Sequence, residues 1–216
     1  RESAMDIVRS DARRYSQLPR FFRWFSDHCV LRQLDESDAT RIAQAISRPG
    51  FERCSNGAAP RRAAEIDAFV RAAQADWLRG ARYVMAVVRK QTHDFVGWVE
   101  LRAAGRGRWT LGWFVQPELA ARPLAREVLL AAADLMFTAL DAQALYADCP
   151  RGNVSVEQLL NDAGFIELVP AGSLDSETGR PRVAALYELG RADWRTLRAS
   201  RTAAALPSPR TELALV

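Results

Sequence analysis

The hydrophobic pattern of the chain changes period at Gly80. Upstream of it, Ile66, Phe69, Val70, Ala73 and Trp77 recur at helical spacing within residues 61–79, and Gly80 stands where a helix ends in the left-handed conformation. Downstream, short apolar blocks bounded by turn residues predict strands at 83–88, 95–102 and 108–116. A polar turn at 89–94 and a glycine-rich turn at 105–107 join these three strands into an antiparallel meander. The helical period then returns at 123–140, with Leu124, Val128, Ala131, Leu135 and Leu140 as the apolar stripe and Pro123 suited to a first helical position. A strand at 144–149 and a helix at 154–163 closed by Gly164 follow, and strands at 165–169 and 183–189 flank a polar loop.

Nearer the start, residues 29–34 alternate as a strand does, and Asp35 with Asp38 opens a helix through Ile42 and Ile46, with Asp35 as the N-cap. Pro49, Gly57 and Pro60 mark 50–60 as a loop. Phe21, Phe22, Trp24 and Phe25 crowd behind Pro19 in a segment, 8–27, read as a packed N-terminal helix or arm. At the other end, residues 192–216 read as a tail whose Ala- and Pro-containing stretch, 202–210, is expected to be poorly ordered.

Composition narrows the class. A chain of 216 residues with 49% apolar and 26% charged residues suits one core and is short for two. The expected division is an arm at 1–28, in which 1–4 before Met5 are set aside as an expression scar, one domain at 29–194 and a tail at 195–216. Charges interrupt every apolar stretch well before a bilayer span, and no charged-then-apolar leader opens the sequence, so neither a membrane partner nor secretion is expected. Cys29, Cys54 and Cys149 are widely spaced and accompanied only by His28 and His93, which fits no disulfide framework and no metal spacing and points to a reducing cytoplasm. The net charge of +4 rests on arginine, since Lys90 is the sole lysine, and no basic run with interleaved aromatics argues for nucleic acid as the main partner.

Several phrases then fall into a recognisable order. Leu31-Arg32-Gln33-Leu34 precedes the acidic helix start, Val96-Gly97-Trp98-Val99-Glu100-Leu101 lies on the meander, and Leu111-Gly112-Trp113-Phe114-Val115-Gln116-Pro117-Glu118 ends it. Asn153 is followed eleven residues on by Gly164-Phe165, and Leu186-Tyr187-Glu188-Leu189 stands before Asp193-Trp194. Together, from about residue 30 to residue 194, they resemble the GNAT superfamily of acyl-CoA-dependent N-acetyltransferases, and within it the branch containing the ribosomal-protein alanine N-terminal acetyltransferases. The resemblance implies an α+β GNAT fold: a mixed central sheet of about six to seven strands, about four flanking helices, and here an N-terminal helical arm. It implies acetyl-CoA as cosubstrate, no metal, and as acceptor a primary amine of a small molecule or protein N-terminus. The pantetheine would lie between two splayed parallel strands, and the pyrophosphate against backbone N–H groups at the start of the long helix, where the macrodipole favours an anion. Phe114, Val115, Ala121, Arg122, Leu124, Ala125, Arg126 and Asn153 are the residues the resemblance places on that ligand.

The sequence departs from the family pattern at its functional positions. The phosphate turn of the family reads Gln or Arg, two variable residues, Gly, one variable residue, then Gly or Ala; here it reads Ala120, Ala121, Arg122, Pro123, Leu124 and Ala125. Ala120 offers no side-chain donor and Pro123 no N–H. Each lost bond to a charged group, worth about 1.5–3 kcal/mol, would weaken CoA binding roughly tenfold to a hundredfold unless Arg122 and Arg126 reach the phosphates instead. Thr110 occupies the place of a catalytic glutamate and is no base at neutral pH; Glu100 on the neighbouring strand is the nearest substitute. The expected thiol partners are replaced by Val156 and Leu160, while Ser155 stands one position early, about 100° round the helix. Asn153 matches the family but equally suits an N-cap. Cys149 has no histidine near it in sequence, and Trp98, Trp109 and Trp113 read as core or acceptor-pocket walls.

Three functions remain open on this reading. The first is an N-acyltransferase, whose 47–62 loop, with Arg48, Arg53, Arg61 and Arg62 offset by Glu52, would suit an acidic acceptor. A second is a catalytically degenerate GNAT fold that binds a ligand or protein partner, and a third a basic face engaging tRNA or an acylated carrier. The aromatic arm at 21–25 is either a homodimer contact or a segment folded back onto its own sheet.

Overall fold

The computed structural model describes residues 17–49, 51, 55, 56, 60, 62–116, 122–150, 152–172 and 184–205. Asp35 opens the first helical segment as its position predicts. Its carboxylate accepts from the Ser37 N–H at 2.8 Å, and the Asp38 carboxylate accepts from the Asp35 N–H at 3.1 Å, a reciprocal box over the turn Glu36–Asp38. Asp38 is fully buried and takes both ends of the Arg32 guanidinium at 2.7 Å, so strand β2 (Cys29–Gln33) is clamped to helix α1 (Ala39–Ile46). The next helix, α2 (Ile66–Arg79), is preceded by a tight turn at Ala63–Glu65 and stopped by Gly80 at φ 66°.

The meander follows: β4 (Arg82–Arg89), β5 (Phe95–Ala103) and β6 (Arg108–Val115), antiparallel throughout. Helix α3 (Arg122–Ala139) crosses over to β7 (Ala144–Pro150), then come helix α4 (Val154–Asp162), β8 (Ile166–Val169), β9 (Ala184–Gly190) and helix α5 (Arg191–Ala205). With β1 (Arg23–Phe25) at the near edge, the sheet order is β1-β2-β4-β5-β6-β7-β9-β8, and a two-residue strand, β3 (Ser55–Asn56), pairs with β6 off this path. Among the described residues only β6 and β7 run parallel.

Both faces of the sheet are covered by apolar stripes. On one face, Met85, Val99, Leu111 and Trp113 meet Val128, Leu135 and Met136 of α3; on the other, Val84, Trp98 and Phe114 meet Ile42 of α1 and Phe69 and Val70 of α2.

Three expectations are corrected here. Within the described part of the arm there is no helix: Arg23–Phe25 pairs antiparallel with β2, while Leu18 and Phe22 are buried. Aromatic residues that alternate in exposure favour a pleated, half-buried edge over a helix. The stretch read as a tail is helical from Arg191 to Ala205, because Trp194 stacks on Phe137 at 5.0 Å and donates its indole N–H to Asp134 at 2.6 Å, which Arg201 also grips at 2.7 and 2.9 Å. Its alanines are strong helix formers once a face is docked. The sheet exceeds the expected six to seven strands because β1 and β3 join it, and five helices stand among the described residues. Residues 1–16 and 206–216 lie outside the described residues.

Candidate active site

Strand β6 has two edges with different fates. Along one, β5 pairs with it from Trp109 to Val115. Along the other, β7 pairs only at Arg108, Trp109 and Thr110, opposite Ala144, Leu145 and Tyr146, after which β7 pairs onward with β9 alone, as far as Pro150. A cleft therefore opens beyond Thr110, between the C-terminal halves of the two parallel strands, and the N-terminus of α3 follows β6 in sequence. Gly97 helps to set this geometry: a Cβ there would lie 1.9 Å from the Phe114 carbonyl oxygen, so only glycine lets β5 hold the end of β6 so closely on the side away from β7.

Register partners share a face, and a row of side chains crosses the apex of the cleft: Arg102, Thr110, Tyr146 and Glu188 on successive strands β5, β6, β7 and β9. They lie on the face that carries Trp98 and Phe114, the face of α1 and α2. Burial and the neighbouring Glu188 carboxylate, to which its hydroxyl donates, raise the Tyr146 phenol above its ordinary value of 10.0, so it stays protonated at neutral pH. Sequence reasoning missed Tyr146 and Glu188. Their juxtaposition depends on the strand order β6-β7-β9, which local pattern does not encode.

Thr110 stands at the apex itself, exposed. Glu100 does not open into the cleft: it is 5% exposed, Arg82 reaches its two oxygens at 2.9 and 3.0 Å, and Arg102 donates at 2.6 Å. Ser155 is exposed on α4, whereas Val156 and Leu160, where a thiol partner was expected, are buried in the core. Asn153 caps α4, its side-chain oxygen accepting from the Val156 N–H at 3.3 Å. Phe114 and Val115 are buried at the end of β6, with Phe114 against Phe51 and Trp98 at 4.9 and 4.6 Å. Trp98, Trp109 and Trp113 are core residues.

Of the phosphate turn, Ala120 and Ala121 lie outside the described residues and Arg122 is the first residue of α3. Leu124 and Ala125 turn their side chains into the core, which leaves their first-turn backbone N–H groups as the local donors. Arg126 ties α3 to the end of α4, its Nε donating to the Asp162 carbonyl at 2.8 Å. In the 47–62 loop, Arg62 pairs with Glu65 at 2.8 Å, and Glu52, Arg53 and Arg61 lie outside the described residues.

Burial pushes the Cys149 thiol up to about 11, with Glu157 and Glu167 adding to the effect, and its Sγ faces the Asn153 carbonyl at 3.7 Å; this is a packed thiol and not a nucleophile. Among the described residues no three His, Cys, Asp or Glu side chains converge as a metal site, and no helix is long and apolar enough to cross a membrane.

Comparison with known proteins adds the family. The model of the acetyltransferase (GNAT) domain matches residues 28–166. Among solved structures, a GCN5-related N-acetyltransferase from Brucella melitensis superposes with a TM-score of 0.69 at 18% identity, over 88% of this chain and 87% of that one. A spermidine N-acetyltransferase from Vibrio cholerae in complex with CoA and spermine gives 0.64 at 18% identity, over 78% and 98%. A provisionally named ribosomal-protein-serine acetyltransferase, also from Vibrio cholerae, gives 0.68 at 19% identity, over 80% and 99%. No curated protein matches the sequence.

Proposed function

Because the chain belongs to the GNAT acetyltransferase family, we propose that it transfers an acyl group from acyl-CoA to a primary amine within the cleft between β6 and β7. The observation that carries this reading is the parting of the two parallel strands after Thr110, which frees the facing edge of β6 from β7 where an extended thioester arm would run. The α3 N-terminus would take the pyrophosphate through the N–H groups of Leu124 and Ala125 and the free end of the Arg126 guanidinium.

In the transfer, the amine nitrogen bonds to the acyl carbon, the C–S bond breaks, the amine sheds a proton and the departing thiolate takes one. Tyr146 is our candidate donor to that sulfur, since it is protonated and lies at the apex; the proton that the amine sheds, carried through water, restores the phenol. Glu100 is committed to its two arginines and serves as a positioning group for Arg102 beside Thr110. With no free carboxylate in the place of the family's glutamate, most of the acceleration would come from holding amine and thioester together.

The Glu188 carboxylate beside Tyr146 at the apex favours a cationic amine over the acidic acceptor expected from the loop arginines. A small polyamine and a protein N-terminus both fit that class. The free thiols Cys29 and Cys149 accord with work in a reducing compartment such as the cytoplasm. A homodimer through Phe21, 86% exposed beside β1, is tested by light scattering behind gel filtration: a monomer at all concentrations rejects it.

Calorimetric titration with acetyl-CoA and with free CoA tests the reading directly. Micromolar binding that Arg126→Ala weakens about tenfold is the expected result. No heat and no thermal shift at millimolar ligand would overturn it. The degenerate, ligand-binding alternative is favoured by the missing base at Thr110, and it predicts binding without amide formation in an amine screen.

A further inference from the structure

The cleft already has an occupant from the chain itself. Strand β3 pairs antiparallel with β6, Ser55 opposite Phe114 and Asn56 opposite Trp113. Since β5 fills the other edge of β6 along this whole stretch, β3 lies on the edge that faces β7, within the gap left where the parallel pair ends. Backbone groups of β6 that the divergence would leave without a strand partner are thereby taken up. The connection carrying β3 is held on either side by buried residues, Phe51 against Phe114 and Trp98, and Pro60.

We propose that β3 is an intramolecular competitor for the acyl-CoA cleft: an extended diamide arm can add to the Trp113–Phe114 edge of β6 only by displacing β3. This rests on the reading of the cleft given under Proposed function. A thioester arm entering the gap meets β6 at the hydrogen-bonding positions that Ser55 and Asn56 now use, and one strand edge accepts one partner at a time. Apparent donor affinity is lowered by the fraction of molecules in which β3 is seated, and anything that draws β3 away, an acceptor included, raises it.

The test compares the full chain with the double variant Ser55→Pro/Asn56→Pro, in which neither residue has an N–H to give. Calorimetry should show acetyl-CoA binding about tenfold tighter in the variant, the equivalent of losing a pair of net hydrogen bonds from the competing state. Equal affinities in the two proteins would overturn the competition while leaving the acyl-CoA reading intact; no binding by either would overturn both. Amide exchange on the unaltered protein gives a second measurement that does not depend on the variant folding. Saturating acetyl-CoA should release protection at Ser55 and Asn56 while β6 stays protected, and a gain of protection at β3 would make the strand a wall of the bound site and refute its displacement.

Discussion

Replacing Glu100 by alanine would leave Arg82, 11% exposed, with Asp76 at 3.6 Å as its remaining carboxylate. Breaking a buried ion pair from one side costs about 3–5 kcal/mol, so urea unfolding should register Glu100→Ala as strongly destabilising. Tyr146→Phe should do the opposite, lowering kcat roughly a hundredfold with an unchanged urea midpoint, since general acid catalysis contributes on that scale and the lost hydroxyl is only partly buried. Glu127 offers a pH prediction. Burial alone would raise its carboxyl, but bonds from the Ser26 hydroxyl and from the His28 N–H and imidazole outweigh it and hold the group below its ordinary 4.5. A lowered folded value means that the stabilisation is complete above about pH 4.5 and is lost as the pH falls through the folded value. Glu127→Gln should therefore flatten the acid limb of stability against pH, measured by urea midpoints between neutral and acid pH. At this scale the sequence was partly legible: Asp35 announced its cap, and Cys149 its want of a neighbouring histidine. Glu100 showed its charge and not its company, because Arg82 reaches it only through the β4–β5 register.

Helix α5 shows the same limit for whole elements. Its leading residues are charged and its end is alanine-rich, so nothing in the local pattern says that Trp194 finds Phe137 and Asp134 on α3, some sixty positions away. The prediction is correspondingly simple: Trp194→Ala removes a 5%-exposed indole and should cost about 3–5 kcal/mol in thermal or urea unfolding, with loss of helical signal from the C-terminal segment. By contrast α2, α3 and α4 were legible from apolar period and terminal residues, and the meander from its turns. Strand β3 was not, since two residues in a loop carry no period at all.

For the molecule as a whole, pattern predicted most of the elements, β1, β3 and α5 excepted, together with the meander, and the matched phrases predicted the rest of the arrangement. Strand order β6-β7-β9-β8 is tertiary information, and with it went the apex row of Thr110, Tyr146 and Glu188. A donor that binds only the folded chain should also protect it: at a hundred times its dissociation constant, acetyl-CoA should add about 2.7 kcal/mol and raise the melting temperature by several degrees, whereas an unmoved melting curve would argue against the cleft as its site.

The one parallel contact has a mechanical meaning as well. Strands β2 to β6 and strands β7 to β9 are each zipped by antiparallel ladders, yet among the described residues the two blocks pair only through Arg108, Trp109 and Thr110 against Ala144, Leu145 and Tyr146. Under load or partial unfolding that short seam is where the sheet would tear, and the crossover helix α3, packed beneath it, is the strap that keeps the blocks in one piece.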